Sequence, residues 1–265
     1  GPQVIEEAER PHQPPRHLRE RAHDLAIISG EVDRLERLID DLFTLSRAEV
    51  DRLSLALAPV ALVGTSPLIL TVRPTLNAQG VKDVIELARQ QPGRLNYSSG
   101  GNGSTSHLAS ELFKDLTRTS ITHIPYKGGG PATLAVASGE VDLGFVDIGV
   151  AVPLIRAGRL KAVAVSGSTR SPVLPQVPTV EEAGVPRFES ATKFALFAPA
   201  GTPAAIIDRL YEAVRSVQKN DELKDRLRQQ GIELVAAGPA ELRKDAAEDL
   251  ARWGRLIRER KLSLD

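Results

Sequence analysis

The residues best suited to chemistry form one run, Asn96-Tyr97-Ser98-Ser99-Gly100-Gly101-Asn102-Gly103-Ser104-Thr105-Ser106-His107-Leu108. Leu95 and Tyr97 suit a strand, while Leu108, Leu112 and Phe113 recur at helical spacing, so the glycines and hydroxyls fall in the turn between strand and helix. Such a turn gathers unpaired backbone N–H groups, hydroxyls and the positive end of a helix dipole around one point. That is the chemistry of a carboxylate or phosphate site. The other reading is a capped turn with no ligand, and a lone glycine-rich run does not separate the two.

Two further loops have a similar make-up, Tyr126 to Gly130 and Asp147 to Gly149. Each also has a plain structural reading: Asp147 as a helix cap, Tyr126 as a half-buried core residue, the glycines as turn formers. What places the loops together is the alternation of elements after Pro59. Short β-rich runs occur at Val60–Val63, Leu68–Val72, Leu95–Tyr97, Ile121–Ile124, Val141–Val146 and Lys161–Ser166, with helical stretches at Val81–Gln90, Ser104–Leu116, Pro131–Ser138 and Val150–Ala157 between them. This order predicts a mainly parallel sheet covered by helices, with ligands bound beyond the carboxyl ends of its strands. The three loops then fall on one rim.

Prolines at 172, 175, 178 and 186 mark an extended crossing segment with one short helix near Val180 to Ala183. A strand at Phe194–Ala198 follows, then helices at Ala204–Gln218 and Asp221–Gln230, a strand at Ile232–Val235 and a last helix from Pro239 to Lys261. Thr202 with Pro203 forms a helix start. Trp253 reads as a packing anchor.

The chain has 265 residues, 42% hydrophobic and 26% charged, with 34 basic and 34 acidic side chains that cancel. These values fit a globular protein with a sizeable core, and the charge balance points to neither nucleic acid nor an anionic membrane. Cysteine is absent, which removes disulfides, thiolate chemistry and cysteine-ligated metals. No run reaches the roughly 18 apolar residues of a membrane span, and no export signal opens the chain. Gly1-Pro2 at the start and the lack of methionine read as a processed fragment whose leader has been removed.

Residues 1–23 carry Pro11, Pro14, Pro15, His12, His17 and His23, and read as a flexible lead-in. The histidine spacings of five and six put no pair on one helix face, so no metal site is expected there. Residues 24–58 are expected to be an amphipathic helix, with Ile28, Val32, Leu35, Ile39, Leu42 and Leu45 in a heptad-like stripe. Its partner is either a second copy, giving a homodimer through residues 24–53, or the rest of the chain. The run Glu31 to Glu49 resembles the second helix of the dimerisation domain of sensor histidine kinases, without the phosphoacceptor or ATP-binding motifs of those enzymes.

From Pro59 to Asp265 the sequence resembles the Bug-type periplasmic receptors of tripartite tricarboxylate transport systems. The resemblance rests on Pro59-Val60-Ala61-Leu62-Val63-Gly64-Thr65-Ser66-Pro67-Leu68, the opening loop through Phe113, Ile121 to Gly128, Ala157 to Val165, Leu174 to Gly184 and Leu196 to Pro203. It implies an α/β, two-lobe, type II periplasmic-binding-protein architecture, with residues 59–94 plus 199–265 as lobe 1 and 95–198 as lobe 2. The stretch before Pro59 lacks the family's usual start, so lobe 1 is expected to be incomplete. The resemblance further implies a small organic carboxylate as ligand, membrane transporter subunits as partners and a periplasmic location, with no cofactor, nucleic acid or catalysis. Ser98, Ser99, Gly100, Gly101, Asn102, Gly103, Ser104, Thr105 and Ser106 would hold a ligand carboxylate. Tyr126 stands in the second loop of the rim, Asp147 would orient the distal part of the ligand or a bridging water, and Thr65 and Ser66 would face the cleft. Lys193 replaces a customary aromatic residue beside the cleft and would favour extra negative charge.

Two functions follow as expectations. The first is a transport receptor that binds a di- or tricarboxylate; the alternative is a dimerising sensor or scaffold that has lost its ligand. No nucleophile-elbow pattern supports a hydrolase, and His107 and His123 read as helix and strand residues rather than catalytic bases.

Overall fold

The computed structural model describes residues 57–263. The lead-in, the kinase-type helix and its dimer stripe lie outside the described residues, except that residues 57–58 already belong to a strand. That strand, β1, runs from Leu57 to Val72. The sequence pattern divides it at Gly64–Pro67, but antiparallel pairing to β6 (Ala191–Pro199) continues from Leu57 to Pro67, with irregularities at Pro59/Ala61 and Leu62/Gly64 absorbing the mismatch. At Gly64 a Cβ would stand 2.9 Å from the Glu233 carbonyl oxygen, so only glycine allows that close backbone approach.

Beyond Pro67, β1 enters a second sheet of order β3-β2-β4-β1-β5, formed with β2 (Asn96–Ser99), β3 (Thr122–Pro125), β4 (Leu143–Asp147) and β5 (Lys161–Val165). Strand β2 is parallel to β3 and β4, whereas β1 is antiparallel to both β4 and β5. The expectation of a mainly parallel sheet therefore needs correction. Strands β2 to β5 run one way, but the most extensively paired strand of all opposes them. Its first half is also antiparallel to β6 and to β7 (Glu233–Ala237). Only the strands joined by helical crossovers must be parallel, and β1 reaches the sheet by crossing from the other one.

Helices cover both faces of the larger sheet. On one side α1 (Val81–Gln90) and α2 (Thr105–Thr117) pack with Leu68, Leu70, Val72, Tyr97, Phe145 and Phe188. The rings of Phe145 and Phe188 stack at 5.3 Å, and Phe113 meets Phe145 edge-on at 6.0 Å. On the other side α3 (Gly129–Ser138) and α4 (Ile148–Arg156) pack with Ile69, Val146 and Val165. The apolar run Leu68-Ile69-Leu70 is thus buried from both sides, which explains its lack of polar alternation.

The smaller sheet packs Val60, Ala61 and Ala198 against Ile207 of α5 (Ala204–Val217), followed by α6 (Asp221–Gln229), β7 and α7 (Pro239–Arg260). Its core is small. Phe194, Leu196, Phe197, Ile206 and Leu210 of β6 and α5 are exposed among the described residues. The helix expected near Val180–Ala183 is a turn, held by the Val180 amide on the Val165 carbonyl at 2.9 Å.

Gly144 in β4 lies under the opening loop, where a Cβ would come within 2.7 Å of Ser98 Oγ and 3.3 Å of Val136 Cγ2. Gly144→Ala is expected to destabilise the fold by about 1–3 kcal/mol, the usual cost of overpacking. Urea denaturation checks this; an unchanged midpoint would mean that the strand shifts freely.

Candidate functional site

Strands β2, β3 and β4 end side by side, and each hands the chain to a helix. Ser104 caps α2, its Oγ accepting the His107 amide at 3.3 Å and donating to the Gly101 carbonyl at 2.7 Å. The next amides, those of Thr105 and Ser106, have no carbonyl within the helix to bond. Gly100 donates its amide to Ser106 Oγ at 3.0 Å, which folds the loop back over the helix start. Gly101 and Gly103 have φ of 125° and 72°, values that exclude most side chains. A Cβ on Gly100 would lie 3.3 Å from the Gly129 amide nitrogen, so the first two loops touch backbone to backbone.

A cavity of about 170 Å³ opens where these helices begin. It is lined by Gly100, Ser104, Thr105 and Ser106 of the first loop, Gly129 at the start of α3, and Asp147 at the start of α4. Leu68, Ala132, Phe145 and Val146 supply apolar wall, and Thr192 of β6 reaches in from the crossing strand. Three helix N-termini therefore focus partial positive charge on one small space. The volume is below the roughly 300–1,000 Å³ of a complete small-molecule pocket, and suits one polar end of a ligand.

Asp147 opposes that field. Its side chain makes no capping bond to α4, and a Cβ built on Gly129 would overlap its Oδ2, so the carboxyl lies across the mouth of α3. Burial raises its pKa above the ordinary carboxylate value. The carboxyl can take a hydrogen bond from a hydroxyl or water and, once protonated, donate one to a carboxylate.

The other candidates lie elsewhere. Ser98 is fully buried, its hydroxyl donating to the Ala132 carbonyl at 2.9 Å. Ser99 Oγ is 2.6 Å from His123 Nε2, behind the loop. Asn102 lines a separate cavity with His107, Glu111, Lys114 and Arg260. The Tyr126 hydroxyl donates to Glu140 at 2.7 Å, outside the cavity, and burial together with this bond pushes its pKa up to about 12. Ser66 is buried at the crossing, paired across the strands with Thr192. Thr65 and Lys193 line a different cavity, of about 280 Å³, between β1, β6 and the Ser168–Pro172 segment.

Lys193 is held 2.7 Å from both Asp245 and Asp249 of α7. Burial would depress its ammonium, but the two carboxylates outweigh it and hold the pKa above the ordinary lysine value. Its charge is already matched, so it is no spare cation for a ligand. Thr192 was not among the residues singled out from the sequence. Nothing local distinguishes a threonine at a strand start from any other.

The folded Asp147 binds its proton more tightly than the unfolded one, so its destabilising effect is absent in strong acid and complete once pH exceeds its raised pKa. Asp147→Asn, which suits the same helix-start position, is therefore expected to raise Tm at pH 7.5, with the gain shrinking as pH falls through the carboxylate range. Thermal unfolding across pH measures it; a variant less stable at pH 7.5 contradicts it. Among the described residues no group of three metal-ligating side chains is assembled, and no helix is long and apolar enough to cross a membrane.

Residues 50–262 match the family described as the tripartite tricarboxylate transporter family receptor. Protein BugT of Bordetella pertussis is 34% identical over 203 residues, covering 77% of this chain and 62% of that protein. A protein from the tcbD-tcbE intergenic region of Pseudomonas sp. strain P51 is 33% identical, covering 77% and 61%. The chain spans about three fifths of the length of these curated relatives. Among solved structures, R. palustris Rpa4515 with adipate superposes with a TM-score of 0.72 at 35% identity, covering 78% of this chain and 69% of that one. MatC from Rhodopseudomonas palustris with bound malate gives 0.70 at 32%, covering 76% and 69%. A match of this extent, on an α/β fold shared with periplasmic binding proteins, places the chain in the tripartite tricarboxylate transporter receptor family.

Proposed function

We propose that this chain acts in an extracytoplasmic solute receptor, binding a small di- or tricarboxylate or related organic anion without chemistry. The observation that carries this reading is the cavity at which α2, α3 and α4 begin, lined by Gly100, Ser104, Thr105, Ser106, Gly129 and Asp147. Unbonded first-turn amides and three aligned dipole ends favour an anion, and the serine and threonine hydroxyls give a carboxylate its remaining partners. Solved relatives with adipate and with malate support a dicarboxylate as the class. Asp147 then faces the ligand's hydroxyl or a bridging water rather than its carboxylate.

Delivery to the membrane subunits of a tripartite tricarboxylate transporter, in the periplasm, is part of this proposal, and the family supports it. The lobe division we propose follows the cores: residues 68–190 around the larger sheet, and 57–67 with 191–263 around the smaller. It moves α1 from lobe 1, where the sequence partition put it, because Val81, Val84 and Ala88 pack with Phe113 and Phe145. Thr65 and Lys193 belong to the hinge in this reading. The dimerising sensor or scaffold gains no support from the comparisons, and the homodimer stripe lies outside the described residues.

Thermal-shift and calorimetric titration with adipate and malate test the proposal. A ligand specific for the folded state is expected to stabilise it by about 2.7 kcal/mol at a hundredfold excess over Kd. Gly129→Val, which puts side chain where Asp147 Oδ2 now lies, is expected to abolish the shift. Absence of any shift with C4 to C6 di- and tricarboxylates at millimolar concentration would sink the receptor reading.

A further inference from the structure

Behind the loop of residues 98–106 stand two imidazoles for which carboxylate capture has no direct use. His107, in the first turn of α2, accepts the Gly103 amide on Nδ1 at 3.1 Å. His123 in β3 lies 2.6 Å from Ser99 Oγ, which also accepts the Gly101 amide at 3.2 Å. The rings are stacked, 4.1 Å between centroids and 7° from parallel, and His123 stacks in turn on Tyr97 at 4.8 Å. Both glycine amides anchored in this way belong to residues with positive φ, whose conformation sets where the Thr105 and Ser106 amides point.

The His107 bond requires a lone pair on Nδ1. A proton there would set two N–H donors against each other, and it would place a charge against the second imidazole and at the positive end of α2. Among the described residues the nearby carboxylate, Glu111, pulls both imidazole pKa values up but does not outweigh their burial. Glu111 of α2 is already shared by the Tyr97 hydroxyl at 2.7 Å, Lys114 at 2.5 Å and Arg260 of α7 at 3.5 Å. Among the described residues lining the same cavity, Lys114, Arg260 and Lys261 stand with Glu111 and Glu259, three cations and two carboxylates.

We propose that His107 is a positioning residue: a neutral ring, stacked on His123, that holds the binding loop in its capturing shape and loosens it, with loss of ligand, when its Nδ1 is protonated. Burial, and for His123 also the neighbouring imidazole, holds both pKa values below the ordinary 6.5, that of His123 at about 4. The unfolded chain then binds protons first. The stabilising effect is complete above 6.5 and is lost as pH falls from there through about 4. The sign is the discriminating feature. Imidazoles serving merely as cations behind an anion site would tighten binding in acid; a brace that needs the His107 Nδ1 lone pair weakens it.

This inference rests on the proposed carboxylate site, so one readout is made without ligand. In the full chain, the Gly103 amide resonance is expected to move with the midpoint of the His107 ring protons, below 6.5, and the transition is expected to vanish in His107→Asn, whose Oδ1 replaces Nδ1 as acceptor. A Gly103 amide indifferent to ring titration, or a His107 midpoint at or above 6.5, overturns the brace. The second readout is adipate affinity against pH, in which protonation of adipate itself is common to wild type and variant. Relative to His107→Asn, wild type is expected to weaken by about twofold where the ring is half protonated, approaching tenfold per pH unit below it. Parallel profiles, or tighter acid binding by wild type alone, also overturn it. If neither adipate nor malate binds at any pH the receptor reading fails, and the Gly103 resonance of the wild type still decides the brace.

Discussion

The constraint on which the rest of this structure depends is that both edges of one long strand are occupied in two sheets. Strand β1 is flanked by β6 and β7 along its first half and by β4 and β5 along its second. A strand so placed cannot slip by one residue without turning Leu68 and Leu70 out of one core and Ile69 out of the other. Its register therefore fixes how the two sheets are joined. It also fixes where the carboxyl ends of β2, β3 and β4 lie relative to the crossing strands, and so brings Thr192 to the rim.

The carboxylate site we propose at that rim is built mostly of backbone. Gly100, Gly129 and the capped start of α2 let main chain approach main chain, leaving amides rather than long cationic side chains to meet an anion. Such a site discriminates by shape as well as by charge, because its donors cannot follow a misplaced ligand. Asp147 is the counterweight in that proposal: a carboxyl at an anion site rejects charge in the wrong place and rewards a hydroxyl or water. Lys193 has the opposite history. A cation beside a cleft suggests a bond to substrate, yet Asp245 and Asp249 of α7 neutralise it and turn it into a tie between β6 and that helix.

Behind the rim, the order of polar groups follows from burial. Burial works to raise the Glu111 carboxyl, but hydrogen bonds from Lys114 and Tyr97 outweigh it and hold its pKa below the usual range. The imidazoles beside it gain no such partner, and burial depresses them. A pair of rings buried beside a glutamate already spoken for is a stable arrangement only while it stays uncharged.

Much of this was legible in the sequence. Apolar periodicity located nearly every strand and helix, and the spacing of glycine and hydroxyl residues from Ser98 to Ser106 marked the main loop, because those signals are local to the elements that carry them. The motifs from Pro59 onward also identified the family. What the tertiary structure alone decided is direction and company: that β1 opposes β2 to β5, that α1 packs with the larger sheet, that Gly129 and Thr192 share a cavity with Ser104 while Tyr126, Thr65 and Lys193 do not. Local pattern records which face of an element is apolar. It does not record which distant element covers that face, and the position of every polar group at the rim depends on that pairing.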